Sequence, residues 1–435
     1  MIDNTHIYNL KAVMYEVGLS AATLRAWENR YGLLKPQRSG GGHRLYSRQD
    51  IEMLKWLVQK QNEGLSISHA VEMWKSFHEV DQLNLLETLA PALDVTTGEG
   101  TLDGLRERWI SACTAFDDQA ANRTLDQAFA IAAPETVCTE VLQKGLAQIG
   151  AGWYGGSIGV QQEHFASAIA IRRVNNLMAA VTPPIRTGHI LAACPPGEAH
   201  DFILLLVTYL LRRAGWDVIF LGGNVPLEDL ESTIQITKPV LVLSAVQTLN
   251  SAASLRTMSE YLMTQGIPLA FGGGIFNLAP ASIKCISGYY LGSDLVIIPK
   301  MVEKLIAASP SMPIAQSVSP EYAQTLKIFL QNEAVITRHI GAQMQTELIE
   351  PAYLEIANAN LTRMVASALI LGDINLLDHS IEWLNGLLEN RGFSASVVLQ
   401  FYTAYLQAIQ RNLGDEGKVI LGWLSRLKSL QWLKA

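Results

Sequence analysis

The chain has 435 residues, which is room for about three domains of roughly 150 residues each. Hydrophobic residues make up 49% and charged residues 17%, a composition typical of a globular protein with sizeable cores. The longest apolar run, 202–211, is half the length of a membrane span, so it predicts a buried helix and no membrane partner. The first four residues lack the basic start and apolar core of a signal peptide, so we expect a cytoplasmic protein.

The net charge of −7 conceals an asymmetry along the chain. Residues 1–75 carry ten Lys and Arg against seven Asp and Glu, whereas the remainder is acidic. A basic end on an acidic body indicates a polyanion-binding module at the N-terminus. The cysteines form no C-x-x-C pair, which disfavours a zinc finger or a disulfide framework and favours a reducing compartment. They are Cys113, Cys138, Cys194 and Cys285.

The first 31 residues have the pattern of a helix-turn-helix. Helical apolar spacing runs over 8–15, a turn follows at 16–19, and Ser20 is a residue type that caps a helix. We predict a second helix over 21–31, with Trp27 in the core. Thr23 and Arg25 then lie near its start, the part that enters a major groove.

A glycine-rich segment at 39–46 predicts a β-ribbon wing after the second helix. His43, Arg44 and Tyr46 flank its turn and are candidates for phosphate contacts, which supply affinity without sequence information. For Arg44 the alternative is a solvated surface charge, which we regard as the weaker interpretation.

These residues resemble the MerR family of winged-helix regulators. The resemblance rests on 24–34 (LRAWENRYGLL), Pro36, Arg38, 44–46 and 50–51. It extends to about residue 75 and implies a DNA-binding domain over 1–78 whose partner is double-stranded DNA. It further implies that Thr23 and Arg25 face the DNA. The DNA backbone would be contacted by Arg38, His43, Arg44 and Tyr46.

The middle segment, 79–184, predicts a four-helix bundle because it is rich in Ala, Leu and Gln with helical periodicity. Its most informative break is the turn at 155–159, which follows Trp153 and precedes Glu163 and His164. Taken singly, Trp153 is better interpreted as core and Glu163 as a partner of the helix dipole.

As a set these three residues resemble the helical cap of light-sensing, cobalamin-binding MerR regulators of the CarH type. The resemblance implies that Trp153, Glu163 and His164 contact the adenosyl group of adenosylcobalamin. The family has a histidine directly after the Trp that ligates cobalt after illumination, where this chain has Tyr154. A phenol with a pKa of about 10 is a poor substitute, and His164 is the alternative candidate.

Residues 185–308 predict a doubly wound parallel α/β domain. Short apolar strands alternate with helices, at 190–194, 218–221, 240–243, 269–271 and 289–291. Polar or glycine-rich loops follow three of these strands, where such folds bind ligands. His200 lies in the first loop, and Glu198 can hydrogen-bond one ring nitrogen and leave the other to ligate a metal.

The three loops resemble those of the cobalamin-binding domain of methionine synthase and the mutases. The resemblance implies that His200 is the lower cobalt ligand, with Glu198 as its partner. It also implies a pocket for the nucleotide tail, lined by Ser244, Gly273 and Gly274. The chain departs from this family at Ile203, where the family has Gly, and at Val246, where it has Leu. Ile203 narrows the predicted channel for the tail.

Residues 309–320 predict a proline- and serine-rich linker, and 321–435 a C-terminal all-α domain. The latter loosely resembles globin-like sensor modules of the RsbR type and the extra domain of photocobilins, which implies a bilin. His339 and His379 are the candidate contacts, although a surface or core role is the better interpretation of each. The absence of cysteine here excludes a thioether-linked bilin and leaves non-covalent binding open.

The function that this resemblance implies is a cobalamin-dependent, light-responsive transcription regulator, not an enzyme. Adenosylcobalamin in the dark would hold a homo-oligomer, a dimer or tetramer, on a palindromic operator, and light would cleave the cobalt–carbon bond and release DNA. A regulator that senses cobalamin or a bilin without photochemistry is the alternative. A cobalamin enzyme is disfavoured, because the chain shows no substrate-binding barrel and no second catalytic domain.

Overall fold

A computed structural model describes residues 101–344 and 351–429, together with shorter stretches between residues 8 and 71. In that first part the described positions are 8–21, 23–25, 27, 34, 37–38, 44–47, 50–51, 53–55, 57–58, 67 and 71. Contacts divide the chain into two units, Met1–Leu83 and Asn84–Ala435. His43 lies outside the described residues.

The first unit contains a three-stranded antiparallel sheet. Strand β3, Arg44–Tyr46, lies between β1, Tyr8–Asn9, and β2, Gln37–Arg38. Strands β2 and β3 form the predicted wing hairpin. The helix predicted from residue 8 begins later, as α1, Leu10–Val17. The reason is that residues 8 and 9 pair with β3 and the Asn9 side chain caps α1.

A cap starts the second helix of this unit where the sequence places it. The Ser20 hydroxyl accepts a hydrogen bond from the Thr23 N–H (3.1 Å), and positions 21, 23–25 and 27 are helical. Trp27 is buried with Val13 and Leu24 in the core, as predicted.

The second unit begins with the predicted helical bundle. A π-helical segment, Cys138–Gln143, joins two of its helices, and Gly159 starts the last one after the predicted turn. The helices are α2, Leu102–Thr114; α3, Asp118–Ile131; α4, Pro134–Val137; α5, Lys144–Tyr154; and α6, Val160–Ala179.

A five-stranded parallel sheet follows, which confirms the predicted doubly wound fold. The strands are β4, His189–Ala193; β5, Asp217–Gly222; β6, Leu241–Ala245; β7, Leu269–Gly272; and β8, Tyr289–Tyr290. Their order is β5-β4-β6-β7-β8. The strand order therefore changes direction between β4 and β6, although the strands themselves are parallel. Folds of this order bind ligands at that switch point.

Helices cover both faces of the sheet. They are α7, Phe202–Arg213; α8, Leu230–Thr237; α9, Leu249–Thr264; α10, Ile275–Leu278; and α11, Ile298–Ala308, with short 3-10 turns at Pro280–Cys285 and Leu295–Ile297.

Alternation along β4 gives each face of the sheet its own core. Ile190 and Ala192 share a core with the helical bundle, whereas Leu191 and Ala193 share a core with the C-terminal helices. Successive side chains of a strand point to opposite faces, so one five-residue strand contributes to both cores.

The described part of the C-terminal segment, 321–344 and 351–429, is helical, as predicted, with breaks at the predicted positions 372–373, 391–394 and 413–414. Its helices are α12, Pro320–Gln343; α13, Pro351–Leu371; α14, Leu377–Asn390; α15, Ala395–Leu413; and α16, Lys418–Ser429, with 3-10 turns at Ile374–Leu376 and Gly414–Gly417. Helix α13 packs on α9, where the Ser367 hydroxyl donates to the Asn250 side-chain oxygen (3.0 Å).

The segment 309–319 contains neither helix nor strand, yet hydrogen bonds hold it to the α/β domain. The buried Arg256 donates to the carbonyl oxygens of Cys285 (3.0 Å) and Gln316 (3.1 Å), and the Gly288 N–H donates to the Pro313 carbonyl (3.0 Å). The predicted linker is therefore docked along its length rather than extended away from the domain.

Within the described part of the chain, no helix is both long enough and apolar enough to cross a membrane.

Candidate functional site

Two loops meet at the carboxyl edge of the sheet, at the switch point of the strand order between β4 and β6. The loop after β4 carries Glu198 and His200, and the loop after β6 leads through Gln247 into α9. Neighbouring parallel strands end at the same edge, so residues that lie about 50 positions apart in sequence become adjacent here.

The carboxylate of Glu198 joins these loops. It is fully buried, and one oxygen accepts hydrogen bonds from the His200 N–H (2.9 Å) and lies 2.9 Å from His200 Nδ1. The other oxygen accepts from the Gln247 N–H (2.6 Å) and the Ser251 hydroxyl (2.7 Å). Four polar atoms thus surround a carboxylate that has no access to water, as burial of such a group requires.

This arrangement determines the tautomer of His200. An ionised carboxylate only accepts hydrogen bonds, so the proton of the 2.9 Å contact resides on His200 Nδ1. The lone pair is then on Nε2, the nitrogen that can ligate a metal. The His200 side chain is 29% exposed, which leaves the ring accessible at the edge of the sheet.

The residues predicted for the cap lie at the ends of α5 and α6. The Glu163 carboxylate is 2.8 Å from His164 Nδ1 and accepts a hydrogen bond from the Ser167 hydroxyl (2.6 Å). Burial raises the Glu163 pKa, but the hydrogen bonds with His164 and Ser167 are the main causes that lower it, and the net pKa is lowered.

A narrow cleft opens between α7 and the ends of β6 and β7. Its lining includes Ile203, Ser244, Gly273, Leu291 and Ile298. The Ser244 hydroxyl is buried and has no hydrogen-bond partner, which is rare for a buried polar group. Ile203 lines the cleft, so its side chain occupies space at the channel that we predicted for the nucleotide tail.

Gly273 and Gly274 have different positions at this edge. Gly273 lines the cleft at φ +126°, and a Cβ there would collide with the backbone of Val246. Gly274 is not among the residues that line the cleft. Its N–H donates instead to the Gln247 side-chain oxygen (2.9 Å), so it holds the loop after β6 in place.

Trp153 lies at the end of α5 and is 8% exposed. Its ring, and that of Tyr154, contact Trp383 of the C-terminal segment. The sequence did not predict these contacts, nor those of Ser251 and Gln247 with Glu198. Ser251 has a local explanation in the sequence, because it closes a capping box with Thr248 at the start of α9. Its second role depends on the position of a distant loop.

In the first unit, the predicted DNA contacts have unequal positions. Arg25 is exposed, Arg44 is partly exposed, Thr23 shares a hydrogen bond with the Ser20 hydroxyl (2.8 Å), and Arg38 lies on β2. Tyr46 is fully buried in the core. The phosphate contact predicted for Tyr46 disagrees with this position, because a fully buried side chain does not reach the surface.

Models of three protein families match the chain. The family described as MerR HTH family regulatory protein matches residues 8–76. Two families described as B12 binding domain match residues 105–178, which fall in the helical bundle, and residues 188–294, which span the sheet. Most residues that line the cleft lie within the second B12-binding match, and both families are B12-binding, so the chain binds cobalamin.

Curated relatives combine the same domains. The HTH-type transcriptional repressor CarH of Myxococcus xanthus is 30% identical over 276 residues, 63% of this chain and 90% of the relative. The repressor CarA of the same organism is 31% identical over 241 residues, 55% of this chain and 76% of the relative. A methanol–corrinoid protein of Methanosarcina barkeri is 28% identical over 128 residues, 29% of this chain and 49% of that protein.

The two Myxococcus xanthus relatives are transcriptional repressors, in agreement with the prediction from sequence of a regulator and not an enzyme. The DNA-binding module and both B12-binding domains occur in the same order along the chain. The chain belongs to the CarH and CarA family of MerR-type, cobalamin-binding transcriptional regulators.

Proposed function

We propose that this regulator binds DNA under the control of adenosylcobalamin held between the helical bundle and the carboxyl edge of the sheet, and that light reverses this control. The observation that carries the proposal is the buried Glu198 carboxylate, which orients His200 through its Nδ1 and leaves Nε2 for a metal. We assign His200 as the lower axial ligand of cobalt.

An unsatisfied polar group and a glycine at the edge support the choice of cobalamin as the ligand. The unpartnered Ser244 hydroxyl offers a hydrogen bond inside the cleft, and Gly273 lines the cleft while its missing side chain makes room for the backbone of Val246. Ser244 and Gly273 would line the pocket of the nucleotide tail, and Gly274 would support it through Gln247. Adenosylcobalamin supplies, when bound, a cobalt–carbon bond that visible light breaks.

On the opposite side, Trp153, Glu163 and His164 would contact the adenosyl group. The lowered pKa of Glu163 keeps this carboxylate ionised at neutral pH, so it accepts hydrogen bonds from a ligand hydroxyl as well as from Ser167. A change in what lies beneath the cap would move α5 and α6, and the bundle is the two-state element that such a change would bias.

The DNA side of the proposal rests on the first unit. Thr23 and Arg25 would face the major groove, and Arg38, His43 and Arg44 the DNA backbone. Two such modules in a homo-oligomer, a dimer or a tetramer, would bind a palindromic operator of double-stranded DNA. We keep as part of this proposal the predicted limits of the DNA-binding domain, the helical bundle, the α/β domain, the linker and the C-terminal domain: 1–78, 79–184, 185–308, 309–320 and 321–435.

One observation favours a second candidate, a regulator that senses cobalamin without photochemistry. Tyr154, which replaces the light-dependent histidine ligand of the family, packs against Trp383.

A bilin in the C-terminal segment stays a prediction. There, His339 Nδ1 lies 2.8 Å from the Asn412 side-chain nitrogen, and His379 is exposed.

The first prediction concerns His200. We expect His200→Ala to weaken adenosylcobalamin binding to the full chain by at least about 10- to 100-fold, the loss typical when even a group that orients a metal ligand is removed. Absorbance titration measures this. The control is His189→Ala, which alters a half-exposed histidine at the amino end of β4, the strand that precedes the loop of His200. Equal affinity of both variants for the cofactor would contradict the assignment.

The second prediction concerns Ser251. We expect Ser251→Ala to lower cobalamin affinity about 10-fold, because Glu198 loses one of its hydrogen-bond donors and holds the imidazole less firmly. Ser254→Ala is the matched control, since the Ser254 hydroxyl bonds only the carbonyl of Asn250 on its own helix (3.4 Å). If the two serine variants bind cobalamin equally well, Ser251 has no part in holding His200.

The third prediction concerns Ile203. We expect Ile203→Ala to tighten the binding of cobalamin several-fold, because the smaller side chain widens the cleft for the nucleotide tail. Binding of cobinamide, which lacks the tail, should stay unchanged. Titration of both corrinoids measures the difference. Weaker cobalamin binding by the variant would mean that Ile203 packs against the tail instead of obstructing it.

The fourth prediction concerns light. With adenosylcobalamin in the dark, we expect the chain to bind operator DNA and slow its migration in gel electrophoresis. We expect green light to abolish this retardation. Arg25→Ala should lose DNA binding while it keeps the cobalamin affinity of the wild type, since Arg25 lies in the other unit. Retardation that is unchanged by light, in a chain that binds the cofactor, supports the second candidate function.

A further inference from the structure

The C-terminal segment touches the cap at one end of α5. Four residues between the middle of α14 and the position just beyond it make this contact, and we call them the clamp: Trp383, Gly386, Asn390 and Arg391. The first three are three and four residues apart, so they lie on the same face of α14. Their partners are Trp153 and Tyr154, the last two residues of α5.

Aromatic rings form the centre of this contact. The ring of Trp383 stacks on that of Trp153 with centroids 6.4 Å apart and planes 25° apart, and it lies 5.1 Å from the ring of Tyr154. These separations are in the range of favourable aromatic pairs. One side chain of the clamp therefore packs on both aromatic residues of the cap helix.

Polar groups of the clamp bind the end of the same helix. The Arg391 guanidinium donates to the Trp153 carbonyl (3.3 Å) and lies 5.2 Å from the centroid of the Trp153 ring, while the Asn390 side chain donates to the Tyr154 carbonyl (3.0 Å). The last carbonyls of a helix have no partner within it and carry its negative dipole end. A cation and an amide donor are therefore well matched to this position.

Gly386 gives Tyr154 the room that it occupies. A Cβ at position 386 would collide with the Tyr154 hydroxyl, so the phenol extends onto the surface of α14 at the point where the helix has no side chain. Burial in this contact, together with the charges of Glu382 and Glu389, raises the Tyr154 pKa. The phenol therefore stays protonated and directed at the C-terminal segment.

We propose that the clamp positions Trp153 over the upper face of the bound cofactor, so that the C-terminal domain regulates how firmly the upper ligand is held. The inference rests on the proposed function, because it assumes that Trp153 meets the adenosyl group. Tyr154 then serves to dock the C-terminal domain. In this chain the position after the Trp holds two domains together and does not ligate cobalt.

The coupling works in both directions. If the docked clamp strengthens the hold of Trp153 on the upper ligand, then the presence of that ligand strengthens docking of the clamp by the same factor. The C-terminal domain is thus a second element that senses the cofactor, and any ligand of that domain which moves α14 would change the affinity for adenosylcobalamin.

The test uses the full chain and the variant Gly386→Ala. Alanine forms helices better than glycine, so α14 stays folded while the new Cβ displaces Tyr154. We expect the affinity for adenosylcobalamin to fall by at least about 5-fold, the lower end of typical coupling between sites, and that for hydroxocobalamin to change by less than about 2-fold. Hydrogen exchange over 144–154 should also rise without any cobalamin, because the clamp no longer holds the helix end.

Two further variants make the result specific. The double variant Gly386→Ala with Tyr154→Phe removes the hydroxyl that collides, and we expect it to restore the wild-type affinity and exchange. Gly422→Ala is the matched control, since this glycine of α16 has no neighbour that an added Cβ would meet.

An equal change in affinity for both cobalamins, or no change in either, would overturn the inference while the proposed function stands. A wild-type chain that binds neither cobalamin overturns the proposed function, and the inference with it.

Discussion

The buried carboxylate of Glu198 is the interaction on which the site depends. A carboxylate without water must have its oxygens hydrogen-bonded, and Glu198 takes its donors from both loops at the carboxyl edge. Loss of any donor would leave a charge that is costly to bury. The same carboxylate therefore holds two loops together and orients the imidazole of His200, so the geometry of the edge and the orientation of this imidazole cannot change separately.

The sheet separates two layers that nevertheless meet. One face shares its core with the helical bundle and the other with the C-terminal helices, because alternate residues of the same strands point to opposite sides. The two layers also touch each other directly, where Trp153 stacks on Trp383. A cofactor under the bundle would accordingly lie close to three parts of the chain, and the C-terminal domain is one of them.

Much of this organisation could be read from local patterns. Ser20 caps its helix, the five strands occur where the apolar runs predict them, and the C-terminal helices break at the glycines and prolines. The errors have tertiary causes. Tyr8 has helical spacing but pairs with β3, and Tyr46 flanks the wing but is buried in the core. In both cases a partner distant in the chain outweighs the local preference.

The sequence by itself determined the order of the DNA-binding and B12-binding domains and the pairing of His200 with Glu198, since each depends on residue types at short spacing. Only the tertiary structure decided that Ser251 and Gln247 hold Glu198, and that Tyr154 docks on Gly386 and Trp383. These contacts join residues about 50 and more than 200 positions apart. No local pattern specifies such pairs, because they exist only after strand order and layer packing have brought separate segments together.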